Sequence, residues 1–252
     1  MATPRFGWKS CLCVHAAVFT WYVFTLWRNC SLEITAKHPG AQTYGGRWKY
    51  LTFINLVMQT VFFGICVLTD LAHVAVSVKS ARGGLPALLS QIGDFYFSVL
   101  AFPVATFVFS SFWVLYSYDR ELVYPKFIDQ IIPTWLNHAL HTIILPLILL
   151  QMYLQPHKYP SRLKGILSLA LFSVVYLAWV LWVHHISGIW VYPIMARLSS
   201  TGLTLFLGVA AFSMVPLYLL GEKLYQVMWR AADGGGGKGG SGVIIGHSSL
   251  LT

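Results

Sequence analysis

The sequence predicts an all-α protein, a polytopic membrane bundle of about six transmembrane helices. Three observations predict it. Of 252 residues, 57% are hydrophobic and only 10% charged, against about 25% charged in a soluble domain. Mean hydropathy is +0.66. The apolar residues also fall in long runs, and a run of about 20 is what a spanning helix requires. These figures exclude a disordered chain and an ordinary soluble globule. The net charge of +9 would suggest nucleic acid in a soluble protein. Here the basic residues stand singly between apolar runs, so no nucleic-acid partner is expected and lipid headgroups are. Cys11, Cys13, Cys30 and Cys66 form neither a disulfide framework nor a zinc spacing.

The first run, Cys11–Trp27, has a basic flank in Arg5 and Lys9 like a signal peptide. Phe24-Thr25-Leu26-Trp27-Arg28 offers no small-x-small cleavage site, so the run reads as a retained helix. Cys11 and Cys13 at its start suit either palmitoylation or simple burial. The second run is Leu51–Val76 and the third Phe95–Tyr116. The fourth, fifth and sixth are Ile131–Leu154, Gly165–Ile186 and Leu203–Val227. Each is apolar all round, unlike a surface helix. Pro103, Pro146 and Pro216 fall inside runs, which a membrane bundle tolerates because neighbouring helices re-satisfy the freed carbonyls. Residues 1–230 thus read as a single six-helix domain and 231–252 as a flexible Gly-rich tail. An even number of spans puts both termini on one side. Ten Lys and Arg fall on that side and seven on the other, a bias that favours cytoplasmic termini in the cell membrane or endoplasmic reticulum.

Polar side chains inside a bilayer are costly and normally face the protein interior or water. Here they are few: Thr52, Asn55, Gln59 and Asp70 on the second run, Asn137, His138, His141 and Thr142 on the fourth, and His184 and His185 ending the fifth. Alternating spans place Thr52, Asn137, His138, His141, His184 and His185 in one leaflet. Asp70, 18 residues beyond Thr52, lies about 27 Å further along the helix. It is expected to snorkel, to pair near the cytoplasmic face or to cap the third helix.

A hydroxyl beside imidazoles fits nucleophilic acyl transfer: threonine is a weak nucleophile until a base takes its proton, and histidine does so near neutral pH. Asn137, Lys49 or backbone amides would supply oxyanion donors. A third-member carboxylate would have to come from Asp119, Glu121 or Asp129, and a dyad without one is equally compatible. Two other classes remain open. His138, His141, His184 and His185 can hold a metal ion, although carboxylate ligands are absent from those faces. A lipid transporter or a regulatory membrane protein without catalysis also has buried polar groups, but the single-leaflet placement does not trace a path across the membrane.

The segment Tyr44-Gly45-Gly46-Arg47-Trp48-Lys49-Tyr50-Leu51-Thr52-Phe53 resembles a signature of the androgen-induced protein family. Further matching segments are Tyr118-Asp119-Arg120-Glu121, Ile132-Pro133-Thr134-Trp135-Leu136-Asn137-His138-Ala139-Leu140-His141-Thr142, Trp190-Val191-Tyr192-Pro193 and Tyr218-Leu219-Leu220-Gly221-Glu222. The resemblance covers about Thr43 to Trp229. It implies a multi-pass membrane hydrolase of fatty acid esters of hydroxy fatty acids. It further implies Thr52 as nucleophile and His141 as base, through an acyl-threonine, with no cofactor and no metal. Asn137, His138, His184 and His185 would then support the site, and Lys49 or Arg47 would hold the substrate carboxylate. The expected partners are the lipid ester and membrane lipids; oligomeric state leaves no signal in the sequence.

Overall fold

The computed structural model describes residues 5–32, 43–75 and 84–234, with side chains up to 229. The expected end of the second run at Val76, the basic residues Lys37, Lys79, Arg82 and Lys238, and tail residues 235–252 lie outside that set. The described residues are helical, with no strand among them. The helices are α1 Trp8–Ser31, α2 Leu51–Ala75, α3 Gly84–Tyr96, α4 Phe102–Asp119, α5 Thr134–His141, α6 Ile144–Leu154, α7 Arg162–Ser187, α8 Pro193–Arg197 and α9 Ser200–Gly234.

Among the described residues, α1, α2, the continuous stretch Gly84–Leu122, α7 and α9 are long and apolar enough to cross a membrane, and the bent pair α5–α6 makes a sixth span. The surface of α9 fits this: Leu205, Val209 and Phe212 are 68, 60 and 75% exposed, an apolar ridge of the kind a span turns to lipid. The protein is a multi-pass membrane bundle. Helix α9 reaches Gly234, four residues into the segment expected as a tail.

Two prolines shape the helices in ways the run lengths do not reveal. Pro103 has no N–H for the Val99 carbonyl, and its ring crowds that group. The third span, which also begins at Gly84 rather than Phe95, widens there into a π-turn over Phe97–Ala101. Beside this turn the Gln59 side chain donates to the Ala101 carbonyl at 3.0 Å. Pro146 acts likewise on the Thr142 carbonyl, and the fourth span breaks after His141, with α5 and α6 meeting at a 42° bend. His141 therefore ends a short helix inside the bundle instead of lying mid-span.

The core runs through Tyr22, Leu56, Phe62, Phe63, Phe97, Phe102, Leu136, Ile144, Ile148 and Met152, all at most 1% exposed. Where α7 meets α9, a Cβ on Gly165 would run into the Tyr218 ring, so only glycine permits that approach. At the far end from Thr52, Asp70 is fully buried. It neither snorkels nor caps. Its Oδ2 lies 2.6 Å from His15 Nδ1, and its Oδ1 accepts from Gln155 Nε2 at 2.9 Å. The chain of bonds continues as Gln151 donates to Gln155 Oε1 (3.3 Å) and to His157 Nε2 (3.1 Å), and His157 Nδ1 meets Asp94 Oδ1 at 3.1 Å. This network ties α1, α2, α3, α6 and the connection after α6 together.

Candidate active site

Thr52 is the second residue of α2. The chain reaches it through a tight turn at Gly45 and Gly46, whose φ angles of +83° and +50° belong to the left-handed region that glycine enters freely. A 3₁₀ turn over Gly46–Lys49 follows. Three bonds strap this segment to α7 and the loop beyond it. Trp179 Nε1 donates to the Trp48 carbonyl (3.1 Å), Tyr176 Oη donates to the Lys49 carbonyl (3.1 Å), and the Leu51 amide donates to Tyr192 Oη (3.0 Å). The start of α2, and with it Thr52, is fixed in place.

Opposite stands His141, its Nε2 at 3.2 Å from Thr52 Oγ1. The other ring nitrogen, Nδ1, faces Asn137 Oδ1 at 2.8 Å and the Asn137 carbonyl at 3.1 Å. A backbone carbonyl only accepts, so Nδ1 carries the proton and Nε2 is the bare lone pair. The Thr52 hydroxyl accordingly donates to His141. The imidazole also stacks on Phe112, ring centroids 3.6 Å apart and planes 10° from parallel. Both the i, i+4 spacing of Asn137 and His141 on α5 and the bend after His141 produce this arrangement.

Asn137 thus holds the place considered for a carboxylate. Asp119 accepts from the Glu121 amide and from Arg197, Asp129 from Arg120, and Glu121 from the Lys126 amide. None of the three bonds to His141.

Thr52 and His141 lie in the wall of a cavity of about 500 Å³ lined mainly by apolar side chains, among them Phe107, Val108, Ile132, Val180 and Leu207. That volume is within the usual range for a small-molecule site. Of the two cations considered for the substrate carboxylate, Arg47 lines the cavity and donates from Nη2 to the Leu32 carbonyl at 2.7 Å. Lys49 does not line it. Its ammonium bonds the Thr43 hydroxyl, and burial lowers its pKa, which weakens it as an anion anchor.

The structure does not bring the other histidines to the pair. His138 points outward, its Nδ1 2.9 Å from Thr142 Oγ1 and its ring beside Trp113. His184 stacks on Trp190 at 3.6 Å, and His185 is exposed beside Trp182. Of the four residues expected to support the site, Asn137 bonds His141 through its side chain and carbonyl, while His138, His184 and His185 bond or stack elsewhere. Among the described residues no group of three or more His, Cys, Asp or Glu converges as a metal site. Phe112 and Tyr176 have no signal of their own in the sequence, because nothing in an apolar run tells which aromatic ring turns inward; Tyr192 stands in the matching segment 190–193, with nothing to tie it to Leu51.

The pattern of the family described as FAR-17a/AIG1-like protein matches residues 10–226. The chain is 45% identical to the human androgen-induced gene 1 protein over 222 residues, 87% of this chain and 91% of that one. It is 41% identical to the human androgen-dependent TFPI-regulating protein over 223 residues, 88% and 94% of the two chains. A membrane protein of the fission yeast Schizosaccharomyces pombe is 23% identical over 197 residues, 77% of this chain and 80% of its own. No solved structure matches. With the match spanning the helical bundle from α1 into α9, the chain belongs to the FAR-17a/AIG1-like protein family.

Proposed function

We propose that the protein is an intramembrane threonine hydrolase that cleaves fatty acid esters of hydroxy fatty acids. The observation that carries the reading is a Thr52 hydroxyl aimed at the bare nitrogen of an oriented His141, in the wall of a mainly apolar cavity of about 500 Å³. The substrate enters laterally from the bilayer. As Thr52 Oγ1 bonds to the ester carbonyl carbon, its proton passes to His141 Nε2 and the carbonyl electron pair moves onto oxygen. Collapse breaks the ester C–O bond, and the departing alkoxide takes the proton from His141. Water then gives a proton to His141, attacks the acyl-threonine and releases the fatty acid, and Thr52 recovers its proton. The balance is ester plus water giving acid plus alcohol. The membrane is the cell membrane or the endoplasmic reticulum, with both termini cytoplasmic.

Quenching the enzyme during turnover should leave an acyl group on the peptide containing Thr52, read by mass spectrometry. Acylation of Ser111, which also lines the cavity, or steady turnover with no adduct would refute the mechanism. Arg47 is the cation positioned for the free carboxylate of the substrate. Arg47→Leu should raise KM for the free acid by about 10- to 100-fold, the worth of a hydrogen bond to a charged group, and leave KM for its methyl ester little changed. Equal effects on both substrates would remove Arg47 from carboxylate recognition.

A further inference from the structure

We propose that Tyr192 donates the hydrogen bond that stabilises the oxyanion of the ester, with the Thr52 backbone amide as the second donor. The proposal rests on the hydrolase reading above and supplies what that reading lacks, a group for the negative charge that forms on the carbonyl oxygen.

The inference follows from accounting for protons in a short relay. Tyr176 and Tyr192 both line the cavity that holds Thr52 and His141. The Lys49 carbonyl can only accept, so the single proton of Tyr176 is committed to it at 3.1 Å. The Leu51 amide can only donate, so it occupies one lone pair of Tyr192 Oη at 3.0 Å. The proton of Tyr192 is left with Tyr176 Oη at 3.1 Å. Both bonds have the same length, but the Tyr192 proton rests on a neutral phenol, a weaker acceptor than the backbone carbonyl that holds the Tyr176 proton. Tyr192 therefore holds the one proton of the relay that can be redirected without breaking either strap. An oxyanion is a far better acceptor than a neutral phenol, because hydrogen bonds to charged groups are roughly twice as strong.

Position and rigidity agree with this role. Tyr192 Oη touches the amide of Leu51, the residue before the nucleophile, so the phenol stands one peptide unit from Thr52. Its backbone is fixed: Pro193 follows, and the Tyr192 carbonyl accepts from the Met195 amide at 3.0 Å as α8 begins. Its ring meets Tyr50 edge to face at 6.2 Å. A donor held this way needs no reorganisation when charge develops, which is the condition for an effective oxyanion hole. Desolvation raises the Tyr192 pKa, so the proton stays in place at neutral pH. Thr52 lies in the first turn of α2, where a helix leaves amide N–H groups without intrahelical partners and carries positive potential. The Tyr192 proton remains on Tyr192 throughout; it is shared with the oxyanion and not transferred.

The test is steady-state hydrolysis of a long-chain p-nitrophenyl ester by the full-length protein in detergent, with the thermal midpoint of each variant as a folding control. Tyr192→Phe should lower kcat by about 100- to 1,000-fold, the usual effect of losing one such donor, with KM within about 3-fold. Tyr176→Phe removes a strap but no oxyanion donor and should lower kcat by about 10-fold at most. A Tyr192→Phe loss below that level, or a Tyr176→Phe loss equal to it, would overturn the proposal and reduce the relay to a backbone strap. Should Tyr192→Phe fail to fold, 3-fluorotyrosine at position 192 keeps the hydroxyl and the packing while making the phenol a stronger donor. A changed kcat then supports the proposal and an unchanged one overturns it. Thr52→Ala separates the two layers: persistent hydrolysis there sinks the hydrolase reading itself, whereas an inactive Thr52→Ala beside a fully active Tyr192→Phe sinks only the oxyanion assignment.

Discussion

Thr52→Ala is expected to lower ester hydrolysis by about 10,000-fold or more, and His141→Ala by a similar factor, with the double variant no worse than either alone. Non-additivity is the sharper part of the expectation. The two side chains act as one unit, joined by a 3.2 Å hydrogen bond in which His141 can only accept. Removing the base leaves a hydroxyl too weakly nucleophilic to attack, and removing the hydroxyl leaves a base with nothing to activate. Labelling by a lipid fluorophosphonate should vanish in both single variants. Because Thr52 is only half-buried at the cavity wall, its truncation should leave the thermal midpoint near that of the wild type. Hydrolysis or labelling that survives in Thr52→Ala would locate the nucleophile elsewhere.

The largest effect on stability is expected from the opposite end of the same helix. Asp70→Ala should cost about 3–5 kcal/mol, the usual consequence of removing one partner from a buried ionisable pair. It strands the Nδ1 of His15 and the Nε2 of Gln155, both of which end on this carboxylate. For a domain of this size the loss corresponds to a fall of about 10 °C in the thermal midpoint. The rate per folded molecule should hold, since Asp70 lies about 27 Å along α2 from Thr52. A midpoint shift under about 2 °C would mean that the network is not structural.

Much of this organisation is legible in the sequence. Run length and composition mark the spans, and counting them puts Thr52, Asn137 and His141 at one end of the bundle. What the runs cannot reveal is which way each side chain turns. Helices such as α4, α6 and α7 are apolar nearly all round, so no polar face marks the inward side. His138 and His141 are three residues apart, yet one looks out and the other in. His184 and His185 share the leaflet but stack on Trp190 and face outward, respectively. The breaks at Pro103 and Pro146 are equally hidden, because a proline in a membrane run can kink, widen or simply be tolerated. The strap from Leu51 to Tyr192 spans 141 positions, and nothing local to either residue marks the pairing.

The break after His141 also sets a depth. Helix α5 has eight residues, about 12 Å of rise, and the histidine that meets Thr52 is its last. Thr52 and His141 therefore meet at a fixed distance from the start of α5 at Thr134, set by helix length and not by a ligand. Under the proposed activity, a lipid presenting its ester at headgroup level would hold that bond above Thr52 and His141, whereas an ester partway down an acyl chain would hang level with them. Under the proposed hydrolase activity, the short helix would act as a ruler, selecting substrates by where along the chain their ester sits.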